Sequence, residues 1–358
     1  MGFFRKSPSI LGVDIGTTSI KVVELEKNGK KAKLKNYGEY KTSSSKEGLM
    51  PVSTSFLSFS EDKISSIIKE ILEETKIEAR EANFSLPVFS SFSTVIELPL
   101  MEPEEIPGAI RFQSHQYVPV PVEEVVLDWS IIKEEDLALS ENKMKVLLVA
   151  IPKDVIEKYG KIGEAVGLSI KTLELESFAQ ARAVIGEDKN PVLILDIGGR
   201  TTSITIVDQG FIRLCHSLDF STFSLIEDLS QRLNISFERA EIFCKEKGLK
   251  KEIDEIAIVA PVLTSIVDKM IFGIEKAINS YLSNNPQREI EKIILLGGGA
   301  LIPGISNYIS NKLQKETIIG NPFLNIDYPP VLKSVLEEIG PSFATAVGLA
   351  LRDFEEKK

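Results

Sequence analysis

The sequence predicts an α/β protein of two lobes, each built on a βββαβα unit, with a small extra subdomain inserted into the first. Three observations point there. A strand–turn–strand–turn–strand run near the start of the chain returns about 180 residues later, which makes the two halves copies of one plan. Each copy ends its first strand on an aspartate, Asp14 and Asp196, immediately before a glycine-containing turn. Residues 88–148 follow neither copy.

Taken in order, a strand over 10–15 meets the turn Gly16-Thr17-Thr18, and a second strand over 19–26 follows with Ile20, Val22, Val23 and Leu25. Asn28-Gly29 turns the chain into a third strand over 31–40. Residues 41–58, rich in Ser with Gly48 and Pro51, read as loop. Ile64, Ile67, Ile68, Ile71 and Leu72 have helical spacing over 61–76, and a strand over 81–86 stops at Pro87. Within 88–148 come a β-branched strand at 92–98, a helix start punctuated by Pro99, Pro103 and Pro107, a turn at 118–121, and strands over 125–133 and 144–151. A helix over 153–166, a strand over 169–176 and a helix over 177–186 complete the first half.

The second half opens on the very apolar strand 192–197, then strands 201–207 and 211–217. Helices fill 220–285, and a buried strand over 292–296 runs into Gly297-Gly298-Gly299. A helix over 303–314 has Pro303 at its first position, a loop rich in Pro and Asn follows, and a last helix covers 341–354. The expected division gives the first lobe 1–87, 149–189 and 335–358, with 88–148 as its insert. The second lobe takes 190–220 and 288–334, with a helix-rich part at 221–287.

The 358 residues are 43% hydrophobic and 26% charged, an ordinary globular composition with room for two cores. A formal net charge of −10 argues against nucleic acid as a partner. The densest basic run, Lys30, Lys31, Lys33 and Lys35, alternates as the solvent side of a strand does. Cys215 and Cys244 have neither metal nor redox spacing, and His115 and His216 are too scattered for an imidazole metal site. No apolar run reaches the ~20 residues of a membrane span. The first nine residues carry positive charge without a signal-peptide pattern, and Lys6 departs from the acylation pattern that Gly2 invites. The expectation is a cytoplasmic protein whose membrane association comes from a partner.

Three motifs carry chemistry. In the first, Leu11 to Lys21, small residues let backbone N–H groups and the hydroxyls of Thr17, Thr18 and Ser19 approach phosphate oxygens; Asp14, Gly16, Thr17, Thr18, Ser19 and Lys21 are the candidates. Alone it reads equally as a plain hairpin. The second, Val192 to Thr202, repeats it with Asp196, Gly198, Gly199, Thr201 and Thr202, and the repetition is what gives both weight. Asp14 and Asp196 would then hold Mg²⁺ from opposite sides, through water. The third, Ile293 to Gly304, stops a buried strand at Gly297, Gly298 and Gly299, where an adenine and ribose can lie against the backbone beside Ile302. Its plainer reading is close strand–helix packing.

These motifs in this order resemble the actin/Hsp70/sugar-kinase superfamily, which implies an actin-like (ribonuclease H-like) fold binding ATP and Mg²⁺. The run Glu174 to Ala181 resembles its first connecting helix, where Glu176 best matches the residue near the attacking water; the other reading is a solvent-facing carboxylate. Gly340 to Ala350 resembles the second, with small residues for tight crossing. Within the superfamily the chain resembles the PilM family of type IV pilus inner-membrane accessory proteins, on Gln116 to Asp128, Gly320 to Phe323 and Gly348 to Arg352. That resemblance implies an insert like that of the cell-division protein FtsA. It also implies a cytosolic protein that binds the short N-terminal tail of a PilN-like inner-membrane protein between the first lobe and the insert, beside other pilus platform proteins and with room for self-association.

Arg200 stands where relatives have a third glycine, facing either solvent or phosphate, with solvent preferred. Glu241 matches an adenosine-flanking Glu, but Cys244 takes the place of its Lys partner and Lys245 comes one later. The expected function is therefore an ATP-binding assembly scaffold, of the type IV pilus or a related type II secretion machine, with weak or partner-dependent hydrolysis at most. A small-molecule kinase would need a carboxylate base at an acceptor hydroxyl, for which no candidate stands out. An FtsA-like filament protein is the other alternative; residues 351–358 do not read as its amphipathic tail.

Overall fold

The computed structural model of the protein describes residues 9–29, 31–41, 60–132, 143–250 and 258–354. Lys30, the loop expected after residue 41, Lys133, the first eight residues and residues 355–358 lie outside the described residues. Strands β1 (Ser9–Ile15), β2 (Ser19–Asn28) and β3 (Lys31–Lys41) form an antiparallel meander whose first turn closes on the Ile15–Ile20 pair. β1 is buried almost throughout and β2 over its first seven residues, hence their near-continuous apolar character. On β3, Lys31, Lys33 and Lys35 are exposed while Ala32 and Leu34 are buried, the alternation expected.

Helix α1 (Glu61–Glu74) starts where Ser60 Oγ accepts from Lys63 N at 3.3 Å, and its isoleucine stripe packs on this sheet. β4 (Glu81–Leu86) adds parallel to β1. The insert is a separate three-stranded sheet, β5 (Phe92–Pro99), β6 (Val125–Ile132) and β7 (Lys143–Pro152), ordered β5-β7-β6. Its own helix, α2 (Ile106–Tyr117), closes a small core of Ile96, Leu98, Ile110, Val146 and Leu148. α3 (Lys153–Val166), β8 (Ser169–Leu175) and α4 (Glu176–Val184) complete this half.

β9 (Val192–Ile197), β10 (Thr202–Asp208) and β11 (Phe211–Leu218) repeat the meander. They are followed by α5 (Thr222–Leu233), α6 (Phe237–Glu246), α7 (Val259–Asn284), β12 (Lys292–Leu296), α8 (Ile305–Leu313) and β13 (Glu316–Ile319). The second sheet runs β11-β10-β9-β12-β13 and the first runs β3-β2-β1-β4-β8, the same plan twice. The chain then returns: β14 (Ile326–Asp327) extends the first sheet beside β3, and α9 (Lys333–Leu351) packs across β1. No helix among the described residues is long and apolar enough to cross a membrane.

Several boundaries differ from the sequence expectation. α8 begins at Ile305, not Pro303: Gly304 takes the left-handed conformation at φ 82° and the Pro303 carbonyl accepts from Leu249 N instead. α9 begins at Lys333 and carries Pro341 inside it, so that proline marks no start. The loop before it holds β13 and β14, and β14 returns to the first sheet ahead of residue 335.

Candidate functional site

A cleft of about 690 Å³ collects both glycine turns, the end of β12 and faces of α4, α6 and α9. The second turn is closed by Gly198 N donating to the Thr201 carbonyl at 3.0 Å. Thr222 N and Phe223 N donate to the carbonyls of Gly198 and Gly199, each at 3.0 Å, stapling the start of α5 to the turn. The two turns touch. A Cβ built on Gly199 would stand 2.4 Å from the Thr18 side chain, so only glycine permits this approach. Arg200 holds its guanidinium 5.1 Å from the centre of the Phe223 ring and does not line the cleft.

Among the acidic residues that line the cleft, Asp14, Glu176 and Asp196 are the ones with raised proton affinity. Burial pushes the Asp14 carboxyl up, against the pull of Lys21 and of the Ser85 hydroxyl, which donates to Asp14 Oδ1 at 2.8 Å. Burial raises Asp196 to about 6, tempered by Gln180 Nε2 donating to its Oδ2 at 2.6 Å. Glu176, first residue of α4 rather than last of the strand, stands well above the usual carboxylate range because of burial and then the charges of Asp14 and Asp196. Lys21 is buried beside them, its Nζ 2.5 Å from Ser19 Oγ and 3.7 Å from Glu39.

Among the described residues no three acidic, His or Cys side chains converge as a ready metal cage. The carboxyls instead face a common space, which suits a cation that keeps its waters. Around them Gln180 Oε1, Ser203 Oγ and Ser217 Oγ are buried with no partner among the described residues, so the cleft floor has polar atoms still to satisfy.

The third loop closes the other end. Gly297 has φ 78° and donates its N–H to the Pro341 carbonyl at 2.9 Å; a Cβ there would meet Asp196 Oδ1 at 2.3 Å. Gly298 faces open space in the cleft. Leu225, Ile226, Leu301 and Ile302 supply apolar wall, with Ile339 and Ser342 opposite on α9. Glu241 and Lys245 both reach the cleft as an ion pair of 2.7 Å on α6, beside buried Cys244.

Of the expected site residues, Asp14, Gly16 to Ser19, Lys21, Glu176, Asp196, Gly198, Gly199, Thr201, Glu241, Lys245, Gly297, Gly298 and Ile302 line this cleft. Thr202 and Gly299 do not. Thr202 opens β10, where strand alternation turns it inward and brings Ser203 to the cleft, and Gly299 is packed under Ile197 and Thr222. Gln180, Ser203, Ser217 and Thr345 also line the cleft, and the motifs missed them. Gln180 was within reach of sequence reasoning, lying one helical turn after Glu176 on the same face.

Two duplicated lobes closing on a cleft of paired Asp-Ile-Gly turns define a member of the actin-like fold class. A family model described as type IV pilus assembly protein PilM matches residues 12–354, and the chain belongs to that family. The structure of a PilM-PilN type IV pilus biogenesis complex superposes with TM-score 0.81 at 23% identity, covering 97% of this chain and 99% of the other. MreB 5 of Spiroplasma citri bound to AMPPNP is similar with TM-score 0.55 at 13% identity, covering 96% and 95%. These likenesses bear on the fold. The cell-division protein FtsA of Neisseria meningitidis serogroup B (strain MC58) is 23% identical over 252 residues, 64% of this chain. FtsA of Bacillus subtilis is 21% identical over 254 residues, 62% of this chain; the chain spans 59% and 58% of these two relatives' lengths.

Proposed function

We propose that the chain is a cytoplasmic, ATP-bound scaffold of type IV pilus assembly, recruited to the inner membrane by the N-terminal tail of a PilN-like protein. The observation that supports it most is the contact of the two Asp-Ile-Gly turns through Gly199 and Thr18, which brings residues of both turns to one cleft. Phosphates fit between the turns; the adenosine fits against Gly298, Ile302 and the Glu241–Lys245 pair. Three carboxyls whose proton affinities are raised by burial, and for Glu176 also by its acidic neighbours, suit Mg²⁺, held by Asp14 and Asp196 through water. When bound, the ion offsets phosphate charge. Glu176 stands where it can orient a water, and Gln180 holds Asp196 in place.

The four-part division into first lobe, insert, second lobe and helix-rich part belongs to the same reading, with the tail docking between the first lobe and the insert. Hydrolysis depends on partners and lobe closure, so the isolated protein turns over far below the ~1–100 s⁻¹ of kinases. Calorimetric titration of the full chain with Mg·ATP, then with a synthetic tail peptide of a PilN-like protein, tests the reading. Asp196→Ala should abolish ATP binding. Unchanged ATP affinity would overturn the cleft assignment, and a peptide that binds in neither nucleotide state would overturn the recruitment.

A further inference from the structure

A second cavity, of about 880 Å³, meets the cleft already described at Ser217 of β11. Its walls are β5 and β7 of the insert on one side and β11 with α7 on the other; no residue of the first sheet contributes. Both β5 and β11 are terminal strands of their sheets, so each leaves one edge unpaired among the described residues. The two edges approach where Ser93 Oγ donates to the Cys215 carbonyl at 3.4 Å, and no backbone ladder joins them. Such an edge offers a row of N–H and C=O groups to an extended chain.

The side chains add a charge preference. Lys145, Arg213, Lys276 and His216 line the cavity against Glu97 and Asp219, and Glu97 is already paired with Lys143 at 3.1 Å. Lys276 on α7 is exposed and makes no ion pair among the described residues. Lys145, Arg213 and Lys276 against Glu97 and Asp219 give the cavity a local positive balance in a chain of net charge −10. Tyr117, Leu147 and Leu218 give apolar footing between the charges.

We infer that this groove binds an extended acidic segment of a partner protein, which adds as a strand to the edge of β5 or β11 and sets its carboxylates against Lys276, Arg213 and Lys145. The mode is β-strand addition, in which backbone bonds give affinity and flanking side chains give selectivity. It is separate from the expected tail groove, which involves the first lobe.

The test uses the full chain and a fluorescent eight-residue peptide alternating Val and Glu, with a Val/Lys peptide of equal length as control. The acidic peptide should bind, the basic one should not. Lys276→Glu combined with Lys145→Glu should weaken acidic-peptide binding about tenfold or more, the scale of two lost surface ion pairs, while ATP binding stays unchanged. Hydrogen exchange should slow on binding at 93–97 and 213–218. Equal binding of both peptides, binding of neither, protection elsewhere, or indifference to the charge reversals would each overturn the proposal.

Discussion

Gly297 and Gly298 are adjacent, yet the structure separates their roles. A side chain on Gly297 would drive into Asp196 and the Ile197 carbonyl, at a φ that L-residues resist, whereas one on Gly298 would meet nothing within 4 Å. Gly298→Ala should therefore keep the parent melting temperature and weaken ATP binding, because the added methyl occupies ligand space; Gly297→Ala should lower the melting temperature itself. Calorimetry and thermal melts on the pair separate the two. Asp196 gives a pH prediction. Its folded value of about 6 lies above the ordinary 3.8, so it binds more protons folded than unfolded between them. Its stabilising share is complete below the lower value and is lost as pH rises through about 6. The nucleotide-free melting temperature should fall more from about pH 4 to about pH 7 in the parent than in Asp196→Asn; parallel curves would refute this. Asp14 and Asp196 were legible in the sequence as cleft residues because a strand-ending Asp before glycine occurs twice. Ser203 was not, since one residue of uncertainty at the start of β10 exchanges inward and outward faces.

At the level of elements, the crossing of α4 and α9 depends on absent side chains. A Cβ on Gly348 would stand 1.8 Å from the Ala179 carbonyl, and one on Gly12 of β1 would stand 1.9 Å from the Ala346 carbonyl. Neither neighbour can rotate away, as both are backbone. Gly348→Ala should cost about 3 kcal/mol, the upper end of overpacking penalties, read as a denaturant midpoint shift, while Gly298→Ala shows none. The crossing is also tied by charge: Arg182 on α4 donates to both oxygens of buried Glu174 at 2.8 Å and to the Gly348 carbonyl at 3.0 Å, and Arg352 reaches the same carboxylate. The small-residue run after Gly340 announced this packing. The start of α9 was hidden because Pro341 reads as a helix beginning, although residues ahead of it already have helical form. β13 and β14 were hidden for a different reason: strands of four and two residues carry too little periodicity to register.

For the whole molecule, the two sheets repeat one strand order and enclose the cleft between them. A ligand that touches both lobes stabilises the folded state by mass action. At a Mg·ATP concentration of 100 times its Kd, unfolding should cost about 2.7 kcal/mol more than without ligand, and Asp196→Ala should remove that increment. Duplication made the architecture visible in the sequence, and the insert was visible as the stretch obeying neither copy. What one chain could not display was how the lobes interleave, since that depends on contacts between residues some three hundred positions apart, such as Ala32 with Ile326.

That interleaving bears on how the protein is made. Val23, Leu25, Ala32 and Leu34 share a core with Phe323, Leu336, Phe343 and Val347, so this part of the first lobe lacks that lining until residues 323–347 emerge from the ribosome. The strands of the second lobe's sheet, by contrast, are all drawn from residues 192–319. Although domains usually fold in the order they are synthesised, the later lobe should here complete ahead of the earlier one. A chain cut after residue 319 should resist protease over its second lobe and be digested rapidly over residues 9–41, whereas equal protection of both would mean the first lobe closes without its distant half.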